Sequence, residues 1–225
     1  MTSMPGMNSV AHSVLGAPII VSSRTSLFHV GRDFPAIPDC QRRKCTASKE
    51  CDRNASMLLP QDAAFFAVVV DAVGGLYIRP QSDEETIYCM KPEFALLARL
   101  IPADSSCLVI VYHCGSGNLN MGLYDLMRLD GVDLKDKPLL ERHSMLHETF
   151  HFNLRKHEEH QAAHGHHCAD LENTLNIRVH WVGWQEACIR LFEDDAKLPF
   201  KPACICRLDE AEYVHMLTPI RTRWP

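Results

Sequence analysis

A short metal-binding pattern contains the residues whose types and spacing most directly suggest chemistry. His147, Glu148 and His151 form H-E-x-x-H within a segment whose apolar residues recur at helical spacing. Two histidines four positions apart share one face of a helix and can both bind zinc, while the glutamate acts as a general base. The pattern therefore indicates zinc-dependent hydrolysis as one candidate chemistry.

The next histidine, His157, is the candidate for a third ligand, because metzincin proteases have a histidine at this spacing. Those proteases have a glycine three residues after the second histidine, where this chain has Leu154. If the helix continues, His157 and His151 point to different sides of it. Thirteen histidines occur in the chain, so a chance match is easy. Two interpretations stay open: a zinc-dependent H-E-x-x-H metallohydrolase, or a solvated histidine-rich helix.

The ten cysteines are an even number, which by itself suggests a disulfide framework. The first residues lack the basic segment and apolar core of a secretory signal, so we expect reduced thiols and an intracellular location. The nucleus and the cytoplasm are both candidates. The mitochondrion stays open as well, because the first 32 residues contain arginines and serines but no acidic residue.

The overall composition is that of a globular protein. The chain has 225 residues, of which 46% are hydrophobic and 23% are charged, with a formal net charge of -5. These values exclude collagen, coiled coils and general disorder. The net charge argues against a basic nucleic-acid footprint across the whole surface. No run of about 18 apolar residues occurs, so we expect no membrane span.

The elements that must position these residues follow from apolar periodicity. Strands are predicted at 65–70, 107–112 and 121–127, and a long helix is predicted at 138–160. Strand-rich segments interrupted by isolated helices indicate an α+β fold with antiparallel sheets. We divide the chain into an irregular N-terminal segment (1–60), open to being part of the core, and a domain at 61–225. A histidine-rich insertion is predicted at 156–170.

The most specific pattern in the chain surrounds Tyr124 and Asp125. The sequence G-L-Y-D-L-M is followed by L-D-G-V-D-L and then by P-L-L-E-R at 138–142. This succession resembles the nucleotidyltransferase domain shared by ATP-dependent DNA ligases and mRNA capping guanylyltransferases. The resemblance implies a core of antiparallel sheets with flanking helices. It also implies that Tyr124 stacks on a purine base.

Other segments resemble the same family in their order along the chain. Residues 65–79 are similar to the hairpin that follows the family's nucleophile motif, and residues 220–224 are similar to its last, phosphate-binding motif. The resemblance implies a set of residues that contact the nucleotide. That set is Asp62, Arg79, Tyr124, Asp125, Arg221 and Arg223.

The residues that catalysis requires are replaced. The family attacks the α-phosphate of a nucleoside triphosphate with the lysine of K-x-D-G-x-R, and the aligned residues 60–65 read P-Q-D-A-A-F. Proline thus replaces the nucleophile, and Phe65 replaces the ribose-binding arginine. Residues 107–109 (C-L-V) replace the carboxylates of the D-G-E strand, and Pro202 replaces a further acidic residue. We expect no counterpart of the family's C-terminal OB domain, which closes over the nucleotide.

A second alignment assigns the nucleophile to Lys49, in K-E-C-D-R. This alignment predicts an active guanylyltransferase-like enzyme that uses a nucleotide with Mg²⁺. Its spacing differs from the family motif, and the motif glycine is missing.

The interpretation that fits most of these observations is a catalytically inactive protein with a nucleotidyltransferase-like fold. Its scaffold positions are kept, whereas its nucleophile and charge-stabilising residues are lost together. We expect it to act as a structural or binding subunit in an RNA- or nucleic-acid-processing assembly. Other protein subunits are the expected partners. RNA, or a nucleotide with a purine or cap-like base together with Mg²⁺, is a further candidate ligand, and zinc is the alternative metal. The alternatives are the Lys49 enzyme, the zinc hydrolase, and an interaction module that resembles the family by accident.

Overall fold

A computed structural model of the chain gives a mixed α+β fold with mostly antiparallel strands. It describes residues 13–19, 43–45, 55–61, 63–80, 86–114, 118–163, 175–193, 198–208 and 213–219. The strands are β1 (Leu15–Ile19), β2 (Arg43–Cys45), β3 (Ala55–Pro60), β4 (Ala64–Val70), β5 (Leu76–Pro80), β6 (Ile87–Met90), β7 (Ser105–His113), β8 (Leu119–Leu129), β9 (Val132–Asp133), β10 (Leu175–Val179), β11 (Val182–Trp184), β12 (Pro202–Leu208) and β13 (Tyr213–Pro219). The helices are a 3-10 turn (Pro92–Phe94), α1 (Leu97–Leu100), α2 (Leu139–Ala163) and α3 (Gln185–Glu193).

The larger sheet has the strand order β1-β6-β5-β4-β7-β8-β10, and β9 pairs with β8. Its neighbours are antiparallel except for β10, which runs parallel to β8. The predicted hairpin is confirmed between β4 and β5. Gly74 adopts a φ of +85°, and the Asp71 carboxylate accepts hydrogen bonds from the backbone N–H groups of Val73 and Gly75. The side chain of Asp71 therefore stabilises the turn, as in other turns that begin with an aspartate.

The smaller sheet has the order β11-β3-β12-β13-β2. Residues 55–60, which the composition of the first 60 residues predicts as irregular, form β3 between β11 and β12. Five of these six residues are buried. The prediction of irregular structure is therefore wrong for this stretch. The apolar run M-L-L-P is too short to stand out from its polar surroundings, and its two partner strands lie more than 120 residues later in the chain.

Helix α2 covers the larger sheet and contacts β8. Its buried residues, Leu139, Arg142, Leu146 and Phe150, recur every three or four positions and so form one stripe. The helix continues to Ala163, so the first half of the predicted histidine-rich insertion is helical, and residues 164–170 lie outside the described ranges. None of the helices in the described part of the chain combines the length and apolar character that a membrane span requires.

The two sheets are joined by an apolar cluster, which we call the intersheet cluster. Strands from both sheets contribute to it, together with the first residue of α2. Its buried members are Met57, Leu59, Ala63, Ala67, Leu108, Ile110, Tyr112, Tyr124, Met127, Leu139 and Val182. A separate cluster on the other face of the larger sheet includes Phe66, Val68, Leu146 and Phe150. Strand β4 is thus apolar along its whole length because both of its faces are buried.

A buried ion pair fastens α2 to β8. Arg142 Nε donates to Asp125 Oδ1 at 2.9 Å, and Arg142 Nη2 donates to Asp125 Oδ2 at 2.8 Å. Arg142 Nη1 also donates to the carbonyl oxygen of Lys137 at 2.6 Å. Both side chains are at most 4% exposed. A bidentate contact with additional hydrogen bonds is the geometry that offsets the desolvation cost of a buried ion pair.

We expect Asp125→Asn and Arg142→Met each to lower the free energy of unfolding by about 3–5 kcal/mol, because each leaves an uncompensated buried charge. The double variant D125L/R142M should cost much less than the sum of the two, since no charge remains buried. Urea unfolding measures all three. Lys137→Met is the matched control: it removes the exposed ion pair with Glu141 and should change stability by less than about 1 kcal/mol. Additive losses in the double variant would contradict this account.

Candidate functional site

The described residues place the predicted site residues in two separate regions. Lys49, Asp62, Arg221 and Arg223 lie outside the described ranges. Arg79, Tyr124 and Asp125 lie in strands of the larger sheet and are buried. The residues of the H-E-x-x-H pattern lie on the solvent side of α2. Of the predicted nucleotide residues, the three that the structure describes are buried, whereas His147, Glu148 and His151 are exposed on α2.

Tyr124 is completely buried in the intersheet cluster. It lies where the register of β7 and β8 shifts, between the pairs Leu108–Asp125 and Val109–Leu123. Its ring meets the edge of Phe65 at a centroid distance of 6.2 Å and an interplanar angle of 87°. A purine base can reach the face of Tyr124 only if these apolar side chains move apart.

The other two described nucleotide candidates are buried as well. Arg79 is 6% exposed in β5, opposite Ala67 of β4. Burial raises the pKa of Asp125, and the hydrogen bonds and charge of Arg142 counteract that effect. Asp125 thus serves the attachment of α2.

The H-E-x-x-H residues are exposed. The imidazole centroids of His147 and His151 are 4.3 Å apart, and a shallow surface groove of about 710 Å³ is lined by both rings, Glu148 and Asp130. Partial desolvation, followed by the charges of His147 and Arg155, lowers the pKa of His151. The two rings form a pair of neighbouring nitrogen donors on one helix face.

His157 does not complete that pair. Helix α2 continues past it without a break, and its ring nitrogen Nε2 lies 3.0 Å from the side-chain amide of Gln161. Within the described residues, no group of three or more histidine, cysteine, aspartate or glutamate side chains is arranged to hold a metal ion.

A cavity that the sequence did not indicate lies between the two sheets, at the point where the chain crosses from β10 to β11. Its volume is about 200 Å³. Its walls come from β3, β7, β10, α3 and the two connecting segments 180–181 and 198–200. Among the residues that line it are Leu58 (β3), Tyr112 (β7), Arg178 (β10), His180 and Trp181 (the crossing) and Phe200. We call it the seam cavity. The sequence contains one indication of this site: Arg178 and His180 are two positions apart and therefore lie on the same face of a strand. The sequence of one strand does not show which other residues that face contacts.

Three rings pack against one another at the seam cavity. Tyr112 meets Phe200 edge-on at 5.1 Å and His180 edge-on at 6.2 Å, while His180 and Phe200 lie nearly parallel at 5.8 Å. Such edge-to-face and offset contacts are favoured arrangements of aromatic rings. The three rings therefore form one packed group in the wall of the cavity.

His180 is a neutral, structural member of this group. Its Nε2 lies 2.8 Å from the carbonyl oxygen of Leu58, and since a carbonyl only accepts, Nε2 carries the proton. Its backbone N–H donates to Leu123 at 2.7 Å. Gly122 allows this approach, because a Cβ there would lie 2.9 Å from the His180 ring. Burial lowers the pKa of His180 to about 4.

No protein-family model and no curated protein matches the chain.

We expect stability to fall as the pH drops from 6.5 towards 4. The unfolded chain protonates His180 near pH 6.5, whereas the folded chain resists protonation until about pH 4, so acid favours unfolding across this window. The full effect is roughly 3 kcal/mol, and the lowered pKa of His143 adds to it with the same sign. His180→Gln should be less stable at pH 7 but lose less stability between pH 7 and pH 5.

Chemical unfolding at a series of pH values measures this slope. The exposed His160, on α2, offers the control variant His160→Gln, which should keep the wild-type slope. Equal slopes for His180→Gln and the wild type would show that His180 is not the group responsible.

We also expect His147 and His151 to hold zinc weakly. Two imidazoles without a grouped third ligand should release the ion during dialysis against metal-free buffer, because stable protein zinc sites use three or four ligands. Elemental analysis after dialysis measures the retained metal. One zinc per chain that is retained by the wild type and lost in both His147→Ala and His151→Ala would contradict this expectation. His160→Ala controls for the other histidines of the helix.

Proposed function

We propose that this protein is a catalytically inactive relative of the nucleotidyltransferases, acting as a structural or binding subunit of a nucleic-acid-processing assembly. The proposal rests on the sequence resemblance around Tyr124 and on the positions and contacts of these residues in the fold. The pattern Y-D followed by P-L-L-E-R gives, in this chain, a buried strand tied to a helix by the Asp125–Arg142 ion pair. That arrangement serves the scaffold and needs no substrate.

The observation that carries the proposal is the burial of Tyr124. In the family that the sequence resembles, this aromatic residue stacks on the nucleotide base. Here its ring is completely buried among side chains of both sheets, Met57, Leu108 and Ile110 among them. Burying a large aromatic side chain contributes about 2–3 kcal/mol, so the filled space is favoured over an open cleft.

The replacements at catalytic positions point the same way. Phe65, at the position of the ribose-binding arginine, packs against Tyr124. Cys107, Leu108 and Val109, at the position of the D-G-E carboxylates, are completely buried. Burial raises the pKa of the Cys107 thiol to about 12, so this cysteine stays protonated and unreactive at neutral pH. Apolar substitutions at these positions strengthen the core and cannot stabilise developing charge.

A binding role is supported by the surface next to the seam cavity. Trp181 is 46% exposed and Trp184 is 52% exposed, at either end of the edge strand β11. Tryptophan is enriched in the energetically dominant positions of protein interfaces. Exposed tryptophans at a sheet edge are therefore consistent with a surface that another subunit covers.

We expect no covalent nucleotide adduct. The purified chain, incubated with labelled GTP or ATP and Mg²⁺ and then denatured, should show no mass increase by intact mass spectrometry. An adduct that survives denaturation would overturn the proposal, because nucleotidyl transfer proceeds through a phosphoramidate on lysine. Lys49→Ala would then show whether Lys49 is the nucleophile.

A second experiment tests whether Tyr124 is a core residue. We expect Tyr124→Ala to lower the free energy of unfolding by about 3–5 kcal/mol, as for other buried aromatic residues. Tyr124→Leu keeps much of the apolar volume and should cost clearly less, which also provides a variant that folds. Tyr88, half-buried in β6, is the control, and Tyr88→Ala should cost less than Tyr124→Ala. A small cost for Tyr124→Ala would indicate an open cleft and contradict the proposal.

A further inference from the structure

Arg178 lines the seam cavity, and most of its N–H donors make no hydrogen bond to the described residues. Arg178 is half-buried, and its Nη2 donates to the hydroxyl of Tyr112 at 2.6 Å. Its guanidinium carbon lies 5.9 Å from the centre of the same ring. Among the described residues this is the only hydrogen bond that Arg178 makes, and no carboxylate pairs with it. A guanidinium has five N–H donors in a planar fork, so the remaining donors are available to a ligand or to water.

The shape of the cavity limits what those donors can meet. A cavity of about 150 Å³ is sufficient to bind benzene, and pockets for larger ligands measure about 300–1,000 Å³. At about 200 Å³, the seam cavity has room for a ring system but not for a whole nucleotide. Tyr112, His180 and Phe200 provide flat walls, and the partly exposed Trp181 also lines the cavity.

Arg178 gives the described part of the cavity wall its charge. Burial keeps the pKa of His180 at about 4, so this residue is neutral at pH 7. Of the described residues that line the cavity, only Arg178 carries a formal charge. A cationic ring is therefore disfavoured, and a ring that offers hydrogen-bond acceptors is favoured.

We propose that the seam cavity binds a flat heteroaromatic ring whose edge carries two adjacent hydrogen-bond acceptors facing Arg178, and that guanine is the representative of this class. The O6 and N7 atoms of guanine match the paired donors of an arginine. Adenine has an amino donor in place of O6 and so meets Arg178 with one acceptor fewer. The proposal rests on the proposed function, in which the chain is a binding subunit without catalysis, and it places a bound base at Tyr112 and Arg178 instead of at Tyr124.

The ring alone is recognised, so the rest of a nucleotide remains outside the cavity. Calorimetric titration of the full chain should give saturable binding of guanosine with one site per chain. Adenosine should bind at least about tenfold more weakly, since a bidentate arginine contact discriminates between bases by roughly that factor or more. N7-methylguanosine should also bind about tenfold more weakly, because the methyl group removes one acceptor and adds a positive charge. GTP should bind within a few-fold of guanosine.

Variants locate the site. Arg178→Lys keeps the charge and the aliphatic stem but loses the planar fork, and it should weaken guanosine binding about tenfold. Arg190→Lys, on the exposed side of α3, is the matched control and should bind as the wild type does. Guanosine should change the tryptophan fluorescence of the wild type and of Trp184→Phe, but much less in Trp181→Phe. Thermal melting confirms that each variant is folded.

Each of these results would overturn the inference: no saturable guanosine binding, equal affinity for adenosine, or unchanged binding in folded Arg178→Lys. Binding of GTP far tighter than that of guanosine would also overturn it, since recognition would then depend on phosphates. These failures are distinct from failure of the proposed function. A covalent adduct overturns the inactive assignment whatever the titration shows, and absence of guanosine binding leaves the inactive scaffold in place.

Discussion

The central strands of the larger sheet are apolar on both faces, and each face is covered by a different part of the chain. Helices α1 and α2 cover one face, and the smaller sheet covers the other through the intersheet cluster. Each buried aromatic or aliphatic side chain on these strands contributes about 1.5–3 kcal/mol, so leaving either face open to water would be costly. The space between the sheets is accordingly filled with side chains around Tyr124.

Because both faces of the sheet are buried, a charged side chain that lies against them needs a partner of opposite charge. Arg142 belongs to the apolar stripe of α2 by position, and its charge is balanced by Asp125 on the strand beneath it. The ion pair fixes the rotation and height of α2 on the sheet, because its two parallel hydrogen bonds tolerate little displacement. As a consequence, the exposed side of the same helix presents His147 and His151 to solvent, away from the sheets.

The seam cavity lies where the packing between the two sheets leaves space. The chain leaves the larger sheet at Val179 and enters the smaller one at Val182, and the two residues between these strands line the cavity. His180 turns inward to satisfy the carbonyl group of Leu58, and Trp181 remains partly exposed. A polar group and a cation are thereby held against aromatic walls, which is the usual composition of a small ligand pocket.

Much of the architecture follows from local sequence. The continuous apolar run of β4, the turn at Gly74 and the periodic stripe of α2 each indicate their own structure, and all three elements are present. The sequence also shows the succession of Tyr124–Asp125 and the P-L-L-E-R segment as one pattern. Strand β3 was not visible, because its identity depends on partners that lie far away in the sequence.

The amino-acid sequence alone identifies the chemically notable residues: the two histidines four positions apart, the tyrosine–aspartate pair, and the apolar residues where nucleotidyltransferases have catalytic groups. Their burial and their partners depend on the folded arrangement of the chain. It buried Tyr124, paired Asp125 with Arg142, left His147 and His151 exposed without His157, and brought Tyr112, Arg178, His180 and Phe200 together. The physical reason is that side-chain type and spacing are local properties, whereas burial, hydrogen-bond partners and cavities depend on how distant strands pack against one another.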